Sequence, residues 1–117
     1  MKTPRKIARK LNDEKIIVQR YIEPLLYNKR KFDIRMFLLV TGVKGKIRGY
    51  LYDEGYVRTC SKLFTFDNFN KYVHLTNDAI QYKSADYGKY EEGNKIGWKK
   101  FQNWLDSEGN SHYWPTF

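Results

Sequence analysis

Cysteine is almost missing from this chain. Cys60 is the only one in 117 residues, which excludes an intrachain disulfide framework and a zinc site built from cysteines alone. Proline is scarce, at three residues, and histidine scarcer, at two. Long apolar stretches are also lacking. The longest, Met36 to Val40, is far too short for a membrane span. The basic N-terminus lacks the apolar stretch of a signal peptide, so the expectation is a soluble intracellular protein with no membrane partner. Acid is in deficit, with 13 Asp and Glu against 22 Lys and Arg, for a net charge of +9. Such a surface fits an acidic partner: nucleic acid, a phosphate ligand or an acidic protein tail. The chain has no Walker loop, no Rossmann glycines, no HExxH and no CxxC. It has no internal repeat either.

Aromatic residues are abundant, at 17%, and hydrophobic residues make up 41%. That composition excludes a purely disordered chain. The length suits one compact domain with a modest core. Thr3 and Pro4 are placed to start a short basic helix ending near Leu11. Lys15 to Ile22 predicts a strand rich in β-branched residues, with 25–31 as its connection. A second strand is expected over 31–41. There, the period of two puts Asp33, Arg35, Phe37 and Leu39 on one face and Ile34, Met36, Leu38 and Val40, as continuous core, on the other. A turn at 42–46, a return strand at 47–52, a turn at 53–55 and a strand at 56–60 complete an antiparallel meander. Ile96, Trp98, Phe101, Trp104 and Leu105 predict a helix over about 95–105, packed on that sheet. Residues 106–117 read as a tail or connection that docks through Tyr113, Trp114 and Phe117. Composition and periodicity alone thus give a basic α+β domain with a polar cluster at the start of a strand. On that basis Lys31, Asp33 and Arg35 form a surface ion-pair ladder, and His74 is a hydrogen-bonded structural histidine. Glu54-Gly55 is turn chemistry. Tyr50, Tyr52, Tyr56 and Tyr72 pack a sheet or offer a platform for bases.

Four segments carry more. They are Val18-Gln19-Arg20-Tyr21-Ile22-Glu23-Pro24-Leu25-Leu26, Arg30-Lys31-Phe32-Asp33-Ile34-Arg35, Tyr50-Leu51-Tyr52-Asp53-Glu54-Gly55-Tyr56-Val57-Arg58 and Val73-His74-Leu75-Thr76-Asn77. In this order and spacing they resemble the tubulin–tyrosine ligase and tubulin-tyrosine-ligase-like family of ATP-grasp ligases. The resemblance covers 15 to about 105, and Asp86 to Asn94 looks most like tubulin–tyrosine ligase itself. It implies the central part of an ATP-grasp domain: α+β, mainly an antiparallel sheet with flanking helices, one partial domain over 1–117.

The activity the resemblance implies is ATP-dependent addition of tyrosine, glutamate or glycine to a protein carboxylate, above all on tubulin, through an acyl phosphate. Such chemistry asks for fixed cations and magnesium rather than a nucleophilic side chain. The family's phosphate loop upstream and magnesium ligands downstream have no counterpart in the chain, and Asp106 and Glu108 are not assigned to metal. The chain alone is therefore expected to be inactive. By the same resemblance Gln19, Arg20, Tyr21 and Ile22 contact adenine, with Ile22 against its face. Lys31 meets phosphate, and Asp33 orients a cation or a ribose hydroxyl. Arg35 and Arg58 face the γ-phosphate or acyl phosphate as the catalytic cations. Thr76 and Asn77 hold ribose or phosphate, and His74 lies at the substrate. The implied partners are tubulin or another acidic-tailed protein and a free amino acid, in the cytoplasm and cytoskeleton, cilium or flagellum included. A basic nucleic-acid-binding module and an inactive, partner-binding remnant are the alternatives.

Overall fold

The computed structural model describes residues 17–110. The expected N-terminal helix, the start of the first expected strand at 15–16, and Tyr113, Trp114 and Phe117 lie outside them. The fold is α+β and antiparallel throughout, compatible with part of an ATP-grasp domain. A four-stranded sheet runs in the order β1 (Leu26–Tyr27), β2 (Arg30–Arg35), β5 (Tyr56–Thr59), β6 (Lys95–Gly97). A separate ribbon pairs β3 (Leu38–Val43) with β4 (Lys46–Leu51). Two one-turn helices follow β5: α1 (Lys71–His74) and α2 (Asp78–Gln81). A 3-10 turn at Glu92–Asn94 leads into β6, and β6 into α3 (Trp98–Ser107).

Several expectations are overturned. Residues 17–25 form no strand; among the described residues, pairing begins at β1. The link from β1 to β2 is a two-residue hairpin with Asn28 and Lys29 both at positive φ, 46° and 61°. That backbone matches the twist of the flanking strands, but Asn-Lys is a poor signal for it. The expected strand over 31–41 breaks at Met36–Phe37, and the ribbon leaves the main sheet there. The meander is therefore not one sheet: β2 pairs directly with β5, setting Phe32 opposite Thr59 and Asp33 opposite Arg58. The ribbon turns at Lys44-Gly45, inside the expected turn. Because it stands clear of the sheet, the supposed core face is open. Leu38 and Val40 are 66% and 57% exposed, Ile34 is exposed and Met36 only half-buried.

The core lies instead between the main sheet and α3. Tyr27, Val57, Ile96, Phe101 and Leu105 are buried there, with Phe32, Trp98 and Trp104 packed against them. Phe101 meets Phe32 edge-on at 5.2 Å and Trp104 in a stack at 5.5 Å. Burying each such side chain contributes about 1.5–3 kcal/mol. The helix was expected from 95, yet 95–97 pair with β5, placing Ile96 opposite Val57. Ile96 is core as a strand residue, and the helical stripe proper is Trp98, Phe101, Trp104 and Leu105. The helix continues through Asp106 and Ser107, where a tail was expected.

Candidate functional site

Alternation along β2 divides its side chains between two faces. Phe32 turns toward α3, so Lys31, Asp33 and Arg35 occupy the opposite face. Register places Arg58 beside Asp33, and Lys95 beside Arg58 on the next strand. Arg58 grips Asp33 with two nitrogens: Nε donates to Oδ1 at 2.8 Å and Nη2 to Oδ2. The Thr76 hydroxyl donates to the same Oδ2 at 3.0 Å. Burial alone raises the Asp33 carboxyl. The bonds from Arg58 and Thr76, with the charges of Arg58 and Arg35, outweigh it and hold the group below the ordinary aspartate range. The bond to Asp33 likewise raises the Arg58 guanidinium above its usual value, against a smaller opposing effect of burial.

A second cluster adjoins the first. The Lys31 ammonium donates to the Tyr21 hydroxyl at 3.0 Å, and that hydroxyl lies 3.1 Å from His74 Nδ1. The Tyr21 ring sits among Phe64, Phe66 and His74, with centroids 6.2, 6.0 and 5.5 Å away. His74 Nε2 lies 2.5 Å from the Asn68 carbonyl. Of the residues expected at the site, the fold thus joins Tyr21, Lys31 and His74 in one group and Asp33, Arg58 and Thr76 in another. Arg35 is exposed, with its guanidinium 5.8 Å from the Phe37 ring centre. Gln19, Arg20 and Ile22 are exposed on a segment without helix or strand. Asn77 is exposed at the start of α2, where its carbonyl accepts the N–H groups of Ile80 and Gln81.

The supports behind this face escaped sequence reasoning. Arg30, at 1% exposure, faces the core side of β2 and pairs through both terminal nitrogens with Glu91. Thr59 donates to Glu91 at 3.0 Å, and Asn94 donates to the Thr59 carbonyl at 3.0 Å and to the Ser61 hydroxyl at 2.9 Å. Gln81 accepts the Ser61 N–H at 2.8 Å and donates to the Leu75 carbonyl, so it fixes the segment carrying His74 and Thr76. These partners are 6 to 61 residues apart, several of them in irregular chain, where periodicity carries no signal. The asparagines and glutamine could be found only through the buried N–H and C=O groups they satisfy. Lys95, tied to Asp78 at 3.3 Å, was also missed.

Two details revise local readings. Gly55 is more than turn chemistry: a Cβ there would lie 2.6 Å from the Arg35 carbonyl oxygen and 2.7 Å from Met36 Sδ. Cys60 is fully buried, and burial pushes its thiol up to about 12, which makes it a poor nucleophile. A hollow of about 530 Å³ lies on the ribbon, lined by Thr41, Val43, Lys44, Lys46, Arg48 and Tyr50, apart from both clusters.

Comparison with known proteins agrees with the four segments. The tubulin-tyrosine ligase family model matches residues 1–116. The chain is 37% identical to tubulin glycylase 3B of Drosophila melanogaster over 98 residues, covering 80% of this chain and 13% of that protein. It is 43% identical over 82 residues to the human probable tubulin polyglutamylase TTLL2, covering 68% and 14%. It is 39% identical over 97 residues to the bovine probable tubulin polyglutamylase TTLL9, covering 81% and 21%. The chain thus spans between about an eighth and a fifth of the length of these relatives. With its family model matched almost end to end, the chain belongs to the tubulin-tyrosine ligase family.

Proposed function

We infer that this segment forms one wall of the nucleotide and acyl-phosphate site of an ATP-dependent ligase. The ligase joins an amino acid to a carboxylate of tubulin or of another protein with an acidic tail. The names of the relatives favour glycine or glutamate as the added residue; tyrosine rests on the likeness of residues 86–94. The observation that carries the reading is the gathering of Lys31, Arg35 and Arg58 on one sheet face, with Asp33 and Thr76 between them. The residues present fit a polyphosphate. Arg58 spends Nε and Nη2 on Asp33 and keeps Nη1 for an oxygen. The exposed Arg35 brings a planar donor fork, and Lys31 a compact charge. Residues 19–22, unpaired with any strand among the described residues, leave backbone N–H and C=O groups for a base edge.

ATP, when bound, supplies the phosphoryl group that activates a carboxylate as an acyl phosphate, from which an amine displaces phosphate. The part of this chain is electrostatic: its cations neutralise charge developing on the phosphoryl oxygens, in positions set before binding. Among the described residues no group of three or more His, Cys, Asp or Glu gathers to hold a metal. No magnesium ligand is assigned here. The wider basic surface steers acidic tails toward the site. A cytoplasmic, cytoskeletal setting follows from tubulin as substrate.

The test is calorimetric titration of the full chain with ATP, a tubulin C-terminal peptide and single-stranded RNA, at low and moderate salt. Lys31→Met and Arg35→Met should each weaken ATP binding, while the charge change Lys99→Met on α3 leaves it unaltered. Equal ATP affinity in all three variants overturns the assignment. Tight RNA binding that depends on Tyr50 or Tyr52 puts the nucleic-acid alternative in its place.

A further inference from the structure

We propose that Tyr21 and His74 are positioning residues for Lys31, acting as one directed hydrogen-bond chain that aims the lysine ammonium at the phosphate site. The role is distinct from the adenine and substrate contacts expected of them from the sequence, and it rests on the functional reading above.

The direction of the chain follows from what each end can do. The Asn68 carbonyl only accepts, so the His74 nitrogen facing it, Nε2, carries the proton. A neutral imidazole then leaves Nδ1 with a lone pair. At the other end, the Lys31 ammonium only donates, so the Tyr21 oxygen accepts from it at 3.0 Å. The phenolic hydrogen remains free, and Nδ1 lies 3.1 Å away to receive it. Every donor therefore finds an acceptor from Lys31 to Asn68. A doubly protonated ring breaks the pattern, since Nδ1–H and Lys31 would both aim hydrogens at the phenol oxygen. α1 packs against β2 and α2, whose charged groups are Arg30, Lys31, Asp33 and Arg35 of β2 and Asp78 of α2; Arg58 of β5 stands beside Asp33, and Lys71 is on the histidine's own helix. Asp78 is taken by the Tyr87 hydroxyl at 2.9 Å and the Lys95 ammonium at 3.3 Å. Asp33 is already gripped by Arg58 and Thr76, so among the described residues no carboxylate is bonded to the ring.

Tyr21 is well placed for this role because its ring and its hydroxyl have separate duties. The ring is fixed by Phe64, Phe66 and the His74 edge, and the Lys31 ammonium lies 5.0 Å from its centre. The hydroxyl alone joins lysine to histidine. A lysine stem has four rotatable bonds, and fixing its ammonium before a ligand arrives lowers the ordering cost of binding. The segment 17–25 and α1 thus converge on one charge of β2.

Three measurements on the full chain test the proposal. Ring ¹⁵N shifts of His74 should show the Nε2–H tautomer; the Nδ1–H tautomer overturns the chain. Side-chain ¹⁵N relaxation should show a restrained Lys31 ammonium beside mobile Lys99 and Lys100. Tyr21→Phe and His74→Ala should free it, and His74→Asn, which restores an acceptor near the Nδ1 position, should restrain it again. A Lys31 ammonium equally mobile in wild type and Tyr21→Phe overturns the proposal. Finally, Tyr21→Phe should weaken ATP binding about fivefold, the worth of one hydrogen bond, with adenosine binding unchanged. In a Lys31→Met background the same change should have no further effect. Equal losses for ATP and adenosine overturn the positioning role and make Tyr21 a base contact. Absence of ATP binding by the wild-type chain defeats the ligase-site reading instead, and the tautomer and relaxation results then decide the chain by themselves.

Discussion

Replacing Glu91 by alanine removes the carboxylate that both terminal nitrogens of Arg30 meet and leaves the guanidinium in a site 1% exposed. Some partners survive: Thr59 Oγ1 at 3.2 Å, the Cys60 carbonyl at 3.3 Å and the face of Tyr90 at 4.3 Å. Removing one member of a buried pair costs about 3–5 kcal/mol, and the surviving contacts favour the lower end. Thr59 loses its acceptor on Glu91 as well, though the Asn94 carbonyl stands 3.3 Å away to take its hydrogen. Urea unfolding followed by tryptophan fluorescence reads the change, since Trp98 and Trp104 pack on the core. With a slope of about 1–3 kcal/mol per molar urea, the midpoint should fall by at least 1 M. Asp86→Ala is the control. Its carboxylate pairs with Lys62 at 2.9 Å and Lys89 at 3.6 Å at the solvent-washed surface, where such pairs contribute little. Arg30→Met with Glu91→Leu should recover part of the loss, because no buried charge is left alone. A midpoint for Glu91→Ala within error of Asp86→Ala refutes the reasoning.

Because the folded Asp33 carboxyl lies below its unfolded value, the stability it contributes is complete above the unfolded range. That stability is lost as pH falls through the folded value, which lies under the ordinary aspartate range. Asp33→Asn should therefore flatten the acid limb of the unfolding midpoint against pH; an unchanged limb refutes the assignment. Cys60 should resist alkylation at pH 8 in the native chain and react at a normal rate in urea, with its thiol pushed up to about 12; fast native labelling would contradict that burial. Gly55→Ala should lower the melting temperature by an amount equivalent to about 1–3 kcal/mol, the usual cost of overpacking, because its methyl group meets the Arg35 carbonyl. Gly42→Ala, with open space around it, is the comparison.

Where sequence and structure agree, local chemistry is strong. The turn at Lys44-Gly45, the strand at Tyr56–Thr59 and the apolar stripe of α3 are legible because turn residues, strand formers and helical spacing act over a few residues. The polar face of β2 was legible too, since alternation alone sets Lys31, Asp33 and Arg35 together. Residues 17–22 misled because β-branched composition reports fitness for a pleated surface, and among the described residues no strand pairs with them. Ile34, Leu38 and Val40 misled for a related reason: period two shows which residues share a face, but not whether anything covers it. The bonds of Tyr21 to Lys31 and His74, and of Arg30 to Glu91, join positions 10 to 61 residues apart. A single sequence read by itself carries no trace of such pairs. The family was legible despite this, because four spaced segments are far more specific than any one of them.

The ribbon's attachment bears on how this chain can vary. Arg35 and Tyr56 are opposite one another in the main sheet, so residues 36–55 leave and return at neighbouring points. The Tyr52 N–H donates to the Phe37 carbonyl at 2.9 Å near the base of the excursion. A detour with adjacent endpoints is a splice site: its length can change without altering the register of Asp33 on Arg58. Doubling a flexible loop costs only about 0.6 kcal/mol in closure entropy. Members of a lineage could thus lengthen, shorten or recolour the Lys44-Gly45 tip while conserving the cations at its root. The one fixed toll is Gly55, whose bare backbone lets the returning strand pass beside the Arg35 carbonyl.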